Sequence, residues 1–113
     1  MYHSHSLQLM RKRWALSQQE LADLLSISRS ALVRLEAGVE SVRLVTAYSL
    51  LVVFGIEGQI QQTDIYGQVE EAVMNKGALL DTKLRGKTDA TSLRKLELLS
   101  DMVRRASGRH SDV

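Results

Sequence analysis

The sequence predicts an all-α fold: a small helical domain followed by a helical extension. Apolar residues recur at helical spacing through most of the 113 residues. The chain contains no proline, so nothing in it breaks the interior of a helix outright. Aromatic residues make up only 4% of the chain, which is few for a β-sandwich or a β-barrel. With 44% apolar residues, the chain can bury one modest core.

The first helix and the start of the second are predicted by apolar spacing and a cap. Leu7 and Trp14 lie on one face of a first helix. Ser17 then precedes an apolar stripe, and Glu20 follows three residues later. This is the spacing of a capping box, in which each side chain satisfies the backbone N–H of the other residue. A second helix is therefore predicted over about residues 18–25.

A short break separates the second helix from a third. Ser26 and Ile27 interrupt the apolar stripe, and Ser28 can cap the next helix. That helix is predicted over about residues 29–37. Gly38 follows as a residue suited to the left-handed conformation that ends many helices.

The rest of the chain shows weaker local signals. A fourth helix rich in Leu and Val is predicted from Ser41 to Gly55, and one or two short helices in residues 58–76. Residues 85–91 are small, polar and charged, which is typical of a linker. An amphipathic helix capped by Thr91 or Ser92 follows, and residues 107–113 are predicted to be a frayed tail. The apolar stripe of that helix consists of Leu93, Leu96, Leu99, Met102 and Val103.

Composition excludes several classes of protein. The absence of cysteine rules out a disulfide scaffold and a thiolate metal site, and it fits a reducing compartment. The longest uncharged apolar run, residues 44–56, has thirteen residues, fewer than the roughly 20 that span a membrane. We also expect no signal peptide in the first ten residues, and hence a soluble intracellular protein. The net charge of +2 is too small by itself to imply a nucleic-acid partner.

Two short helices joined by a tight turn are typical of a helix-turn-helix, which places its second helix in the major groove of DNA. The residues that carry a closer resemblance run from Arg11 to Gly38, R-K-R-W-A-L-S-Q-Q-E-L-A-D-L-L-S-I-S-R-S-A-L-V-R-L-E-A-G. This segment resembles the XRE family of lambda-repressor-like DNA-binding proteins in its Arg near the end of helix 1 and in the L-S-Q-x-E-L-A, I-S and L-E-x-G elements. The resemblance implies a five-helix DNA-binding domain over residues 6–62, with residues 63–106 as a dimerisation or partner-binding extension.

The resemblance also implies which residues contact DNA. Four side chains at the start and on the outer face of the third helix are the candidate base contacts: Arg29, Ser30, Val33 and Arg34. Polar groups near the positive end of helix 2, at the turn and beside the neighbouring helices are the candidate phosphate contacts: Ser17, Gln18, Gln19, Ser28, Arg13 and Arg43. Arg11 and Glu36 match a pair that joins helices 1 and 3 in the family. The alternative is that the arginines are simply solvated, and for Lys12 and Arg13 this is nearly as well supported.

Three positions depart from the family pattern. Ser26 stands where the turn usually has glycine, and a left-handed serine costs about 1 kcal/mol. Glu40 puts a negative charge near the expected DNA backbone, and the loop of residues 39–42 lacks proline. These departures affect the expected loop contacts more than those of the third helix.

The resemblance implies a sequence-specific transcriptional regulator of the bacterial cytoplasm or nucleoid. We expect a homodimer on a two-fold operator that represses its own operon, because one helix-turn-helix reads only a few bases. The stripe from Leu93 to Val103 is the candidate dimer or partner surface, unless it packs back on its own domain. Residues 41–56 are also similar to the fourth helix of XRE proteins encoded beside HipA-like kinases, which leaves open an antitoxin that binds a toxin kinase.

We expect no enzymatic activity, cofactor or metal. No motif places a nucleophile beside a base. His3, His5 and His110 cannot make a structural zinc site in a chain that has no cysteine.

Overall fold

The computed structural model describes residues 4–55 and 64–111, with side chains for residues 7–55 and 66–108. Every regular element in these ranges is a helix, which confirms the all-α prediction. The helices are α1 (Ser4–Arg13), α2 (Gln18–Leu25), α3 (Arg29–Glu36), α4 (Leu44–Phe54), α5 (Asp64–Leu84) and α6 (Ala90–Ser111).

Serine caps begin α2 and α3 at the predicted residues. The Ser17 hydroxyl accepts the backbone N–H of Glu20 at 3.0 Å, and the Ser17 N–H donates to Glu20 Oε1 at 2.8 Å. Ser28 Oγ accepts the backbone N–H of Ala31 at 3.0 Å. These bonds satisfy N–H groups that have no partner inside the helix, so both helices begin where the sequence predicts.

Left-handed residues end both helices. Ser26 follows α2 with φ 57° and ψ 40°, as predicted. The turn then directs Ile27 inward, where its half-buried side chain packs against the core and its N–H donates to Ala22 O at 3.0 Å. Gly38 takes φ 78° after α3. α2 and α3 are thereby fixed as two short helices at a tight turn.

α4 is the central helix of the core. It begins at Leu44, three residues later than predicted, because Arg43 occupies the cap position and makes no side-chain capping bond. It packs against α2, α5 and α6. The most deeply buried side chains come from each of the helices and form one cluster: Leu7, Leu21, Leu24, Leu32, Leu50, Val53, Val73, Leu98 and Met102.

The C-terminal helices are longer than predicted. α5 is a single helix of 21 residues, where one or two short helices were expected in residues 58–76; residues 58–63 lie outside the described ranges. α6 has 22 residues and continues through Ser111, so the prediction of a frayed tail is wrong for residues 107–111. Residues 112 and 113 lie outside the described ranges. The connection, residues 85–89, falls within the predicted linker.

The cap of α6 also differs from the prediction of Thr91 or Ser92. Asp89 Oδ2 accepts the backbone N–H of Ser92 at 3.0 Å. Hydrogen bonds from the side chain and backbone of Ser92 lower the pKa of Asp89 below its usual value. An ionised carboxylate at this position is favoured by the positive end of the helix dipole.

Part of the apolar stripe on α6 faces inward. Leu99 and Met102 are only 5% and 1% exposed, so little of either side chain is available to the predicted dimer or partner surface, although both border a groove between α5 and α6. Both approach Gly77 of α5, where an added Cβ would lie 3.4 Å from Leu99 Cδ2 and from Met102 Cε. Leu93 and Val103 are more than half exposed, and Leu96 is half-buried.

Polar side chains of α6 tie it to α2 and α4. Lys95 Nζ lies 2.7 Å from Glu20 Oε1. The Arg105 guanidinium donates to Val52 O at 3.1 Å and to Val53 O at 2.8 Å, which satisfies carbonyls in the last turn of α4. The two C-terminal helices therefore complete the core of the first four helices.

Candidate nucleic-acid interface

The α2–α3 pair presents one face of α3 to solvent. Ala22 is fully buried, and its small side chain lets the two helices approach closely. Leu32 and Leu35 turn inward from α3, which packs against α1 and α2. The opposite face of α3 is thus exposed to solvent.

The four predicted base-contact residues are all exposed on α3. Arg29 and Ser30 lie in its first turn, and Val33 and Arg34 lie one turn further along. Residues three and four apart share a face of a helix, so the structure brings the four side chains together. Val33 is 41% exposed, so its methyl groups are accessible to a thymine methyl group.

The predicted phosphate contacts around α2 have partners within the protein. Ser17 and Ser28 accept backbone N–H groups as caps, and each hydroxyl keeps its own proton to donate. Gln19 Nε2 donates to Asp23 Oδ1 at 2.8 Å. A phosphate could accept hydrogen bonds from the two serine hydroxyls while the caps stay intact. Gln19 would have to give up its hydrogen bond to Asp23 to contact a phosphate.

Gln18, another predicted phosphate contact, also has a partner within the protein. Its side chain is half-buried, and Nε2 donates to Glu36 Oε1 at 3.2 Å. One of its two amide protons is therefore engaged in joining α2 to α3. The second amide proton and the backbone N–H groups of the first turn are what Gln18 can offer a phosphate.

Arg13 and Arg43 flank the α2–α3 pair on neighbouring elements. Arg13 is the last residue of α1, and Arg43 immediately precedes α4. Both side chains are exposed, and neither forms an ion pair with another described residue. Such arginines can neutralise phosphates without first losing an internal partner.

Arg11 and Glu36 form the ion pair that the resemblance implies. Arg11 Nε lies 2.6 Å from Glu36 Oε2, and a second guanidinium nitrogen lies 3.1 Å from Oε1. Arg11 Nη1 also donates to Leu16 O at 3.0 Å. The two side chains are only 10% and 4% exposed, so the pair is shielded from water. Together with Gln18 it joins α1, the turn before α2, and α3.

Arg34 has an acidic partner that sequence reasoning missed. Its Nε donates to Glu40 Oε1 at 2.7 Å, and both side chains are 47% exposed. Gly38 reverses the chain after α3 and allows this approach. The spacing of six residues belongs to no regular helical pattern, so only the turn geometry indicates the contact.

The contact between Lys95 and Glu20 was also missed, because 75 residues separate the two in the sequence. Burial alone would raise the pKa of Glu20, but hydrogen bonds from Lys95 and from the Ser17 backbone outweigh it and lower the pKa below its ordinary value. Glu20 therefore serves the cap of α2 and the docking of α6 at once. No local signal in the sequence could have found the second role.

Other kinds of site find little support in the part of the chain that the structure describes. Residues 4–55 and 64–111 contain no group of three or more His, Cys, Asp or Glu side chains placed to hold a metal ion. Within the same ranges no helix has the length and apolar character needed to cross a membrane.

Comparison with protein-family models found one similarity. Residues 7–60, just under half of the chain, match the family model described as helix-turn-helix. Comparisons with curated proteins and with solved structures found no match.

Proposed function

We propose that this chain, whose residues 7–60 are an XRE-family helix-turn-helix of the kind that serves DNA-binding transcription regulators, is a homodimeric repressor of its own operon. It would act in the bacterial cytoplasm or nucleoid. The observation that carries the proposal is the exposed face of α3, where Arg29, Ser30, Val33 and Arg34 stand together on a helix fixed by buried contacts.

In the proposed complex α3 lies in the major groove of operator DNA. Arg29 and Arg34 donate to guanine O6 and N7, and Val33 packs on a thymine methyl group. The first turns of α2 and α3 and the side chains of Arg13 and Arg43 contact phosphates. Base contacts select the sequence, and phosphate contacts supply affinity that falls as salt rises.

The test begins with selection of preferred sites from a pool of random DNA duplexes. Arg34→Ala should weaken binding to the selected site roughly 5- to 150-fold and relax preference at one base pair of each half-site. Arg43→Ala should weaken binding to all sequences alike and reduce the salt slope by about one. Lys87→Ala is the control for the loss of a positive charge, since Lys87 is an exposed basic residue in the connection between α5 and α6 and forms no ion pair with another described residue.

Two outcomes contradict the proposal. If the protein enriches no sequence and binds no duplex at low salt, the DNA-binding role fails. If it enriches a site but Arg34→Ala and Arg29→Ala leave the preference unchanged, α3 is not the reading element.

A second copy of this chain is the partner we propose for α5 and α6. An open groove of about 600 Å³ runs between the two helices, with Met74, Gly77 and Leu96 among its lining residues. Val103 also lines the groove, and Leu93 extends the apolar surface along the same stripe of α6. A two-fold operator has two half-sites and requires two helix-turn-helix domains, and a second copy of the chain supplies the second domain.

Charges at the groove support a two-fold pairing. Asp81 and Arg104 line the groove, and the antiparallel packing of α5 on α6 puts them at opposite ends. In a pair related by a two-fold axis perpendicular to the two helices, the Asp81 end of one copy meets the Arg104 end of the other. Asp81 is already paired with Arg85, and Arg104 with Asp101, so the unlike charges would extend these exposed pairs across the interface.

Oligomeric state tests this surface. Val103→Asp should convert the dimer to a monomer in sedimentation equilibrium and lower affinity for the two-fold site more than for a half-site. Leu79→Asp is the control, because Leu79 is an exposed leucine of α5 outside the groove. A wild-type chain that stays monomeric at operator-binding concentrations contradicts the homodimer. If such a monomer instead captures a HipA-like kinase encoded beside it, and Val103→Asp abolishes the capture, the antitoxin role replaces it.

A further inference from the structure

The ion pair between Arg34 and Glu40 lies at the C-terminal end of the exposed α3 face. Val39 N–H donates to Arg34 O at 3.0 Å, and Gly38 with φ 78° folds the following loop back along the helix. Glu40 is thereby brought to 2.7 Å from Arg34 Nε. Among the described residues, Arg34 is the one candidate base contact in an ion pair.

The contact uses only one edge of the guanidinium. Glu40 accepts from Nε, while the two terminal nitrogens of Arg34 donate to none of the other described residues. Those terminal nitrogens are the donors that pair end-on with guanine O6 and N7. Holding Nε orients the planar group and reduces the rotamer freedom that a long arginine side chain would lose on binding.

The charge of Glu40 acts on every DNA sequence. Its carboxylate is 47% exposed beside the surface that faces the phosphates, so it opposes non-specific approach. A site with guanine opposite Arg34 offsets this repulsion with two hydrogen bonds, whereas a site without guanine does not. Specificity is a difference between affinities, so a repulsion shared by all sites lowers binding to every sequence alike, and the preference depends on how Arg34 is held.

We propose that Glu40 is a positioning and specificity-determining residue: it holds Arg34 for end-on reading of one base pair, and its charge weakens binding to all DNA alike, so that tight binding requires the hydrogen bonds of that base pair. This inference rests on the proposed function, because it assumes that α3 reads DNA. The inference gives a role to Glu40, the acidic loop residue that departs from the family pattern, as part of the surface that contacts base pairs.

The two roles can be separated with two variants. Glu40→Gln keeps an oxygen that can accept from Arg34 Nε and loses the charge, so binding to random duplex should strengthen about threefold while the base preference remains. Glu40→Ala loses both, so non-specific binding should strengthen by a similar factor and preference at the Arg34 base pair should fall roughly tenfold. Affinities for selected and random duplexes, measured at one salt concentration, give both quantities.

A double-mutant cycle shows whether Glu40 acts through Arg34. Arg34→Lys keeps the positive charge but has no Nε, so it should lose the preference, and adding Glu40→Ala should then change the preference no further. Glu97→Ala is the charge control, because it removes an exposed carboxylate from α6, and it should leave the preference intact. Thermal unfolding should be nearly unchanged in the Glu40 variants because the side chain is exposed.

The outcomes distinguish this inference from the proposed function. If wild-type protein selects a site and Glu40→Ala keeps the full preference, or changes it equally in the Arg34→Lys background, the inference is overturned while DNA reading by α3 stands. If wild-type protein binds no DNA, the proposed function itself fails. A loss of preference in Glu40→Gln as large as in Glu40→Ala would overturn the separation of the two roles, because the charge itself would then be what holds Arg34.

Discussion

The helix-turn-helix (α2 and α3) and the C-terminal helical hairpin (α5 and α6) are stabilised by different kinds of contact. α2 and α3 have eight residues each, begin at serine caps, end at left-handed residues and are held by a buried ion pair. α5 and α6 have 21 and 22 residues and are held mainly by apolar packing and by single polar contacts to distant helices.

The difference follows from what each region must do. Short helices are marginal alone, so those that present a reading face need caps and a polar connection that set their orientation. Long helices can bury large apolar areas, so the hairpin can stabilise the whole domain without fixing any exposed side chain. Substitutions that affect one kind of contact and not the other test this division.

The largest expected effect is at the buried ion pair. Glu36→Ala leaves the Arg11 guanidinium buried without its carboxylate and should lower the free energy of unfolding by about 3–5 kcal/mol, measured by urea denaturation. Glu71→Ala, which removes an exposed glutamate from α5, should change it by less than about 0.5 kcal/mol. An equal, small effect for both would mean that the short helices do not depend on this pair.

The next effect tests whether the hairpin belongs to the core. Leu98 is 1% exposed, and Leu98→Ala should cost about 2–5 kcal/mol through lost burial and a cavity. Leu93→Ala, on an exposed leucine five residues earlier in the same helix, should cost far less in the monomer. A two-state transition at lower urea is expected for Leu98→Ala. If α6 instead unfolds separately and the rest keeps wild-type stability, the hairpin is an independent unit.

The two regions also differ in how much the sequence could predict. Ser17, Ser28, Ser26 and Gly38 act on their own neighbours, so caps and turns place α2 and α3 to within one residue. The exposed face of α3 then follows from helical spacing. The Gln18–Glu36 bond depends on how the helices pack, and no local pattern contains that information.

The hairpin was predicted less well for the same reason. A stripe of apolar residues predicts that one face of a helix is buried, but it does not show which residues cover that face. Leu99 and Met102 were therefore assigned to a partner, although they pack on Gly77 of the same chain. That glycine carries no apolar side chain that could have marked the contact. Long-range packing, rather than weaker helix propensity, is what local patterns miss here.

A smaller gain of stability is expected at the turn of the helix-turn-helix. Ser26 has φ 57°, and Ser26→Gly relieves a left-handed serine, which should raise the free energy of unfolding by up to about 1 kcal/mol. Asn75→Gly, in the middle of α5, should lower it by a few tenths of a kcal/mol, because glycine is the poorer helix former. If both variants are destabilised equally, the turn geometry at Ser26 contributes no strain.

The smallest effect is at the contact that joins the two regions, between Lys95 and Glu20. Because the pKa of Glu20 is lowered in the folded protein, the unfolded chain binds its proton more readily. The stabilisation is therefore fully present above the ordinary value of 4.5 and is lost as the pH falls through the lowered folded value. Lys95→Met keeps most of the apolar stem, removes the charge, and should cost no more than about 1 kcal/mol at neutral pH.

The pH dependence makes this small effect measurable. The difference in unfolding free energy between wild type and Lys95→Met should be constant above about pH 5 and shrink as the pH falls below 4.5, since the other carboxylates are common to both proteins. Arg85→Met removes an exposed pair with Asp81 inside the hairpin region and should show a smaller difference. A difference for Lys95→Met that does not change with pH would mean that α6 docks on α2 by packing alone, and that the charge of Glu20 serves only the cap.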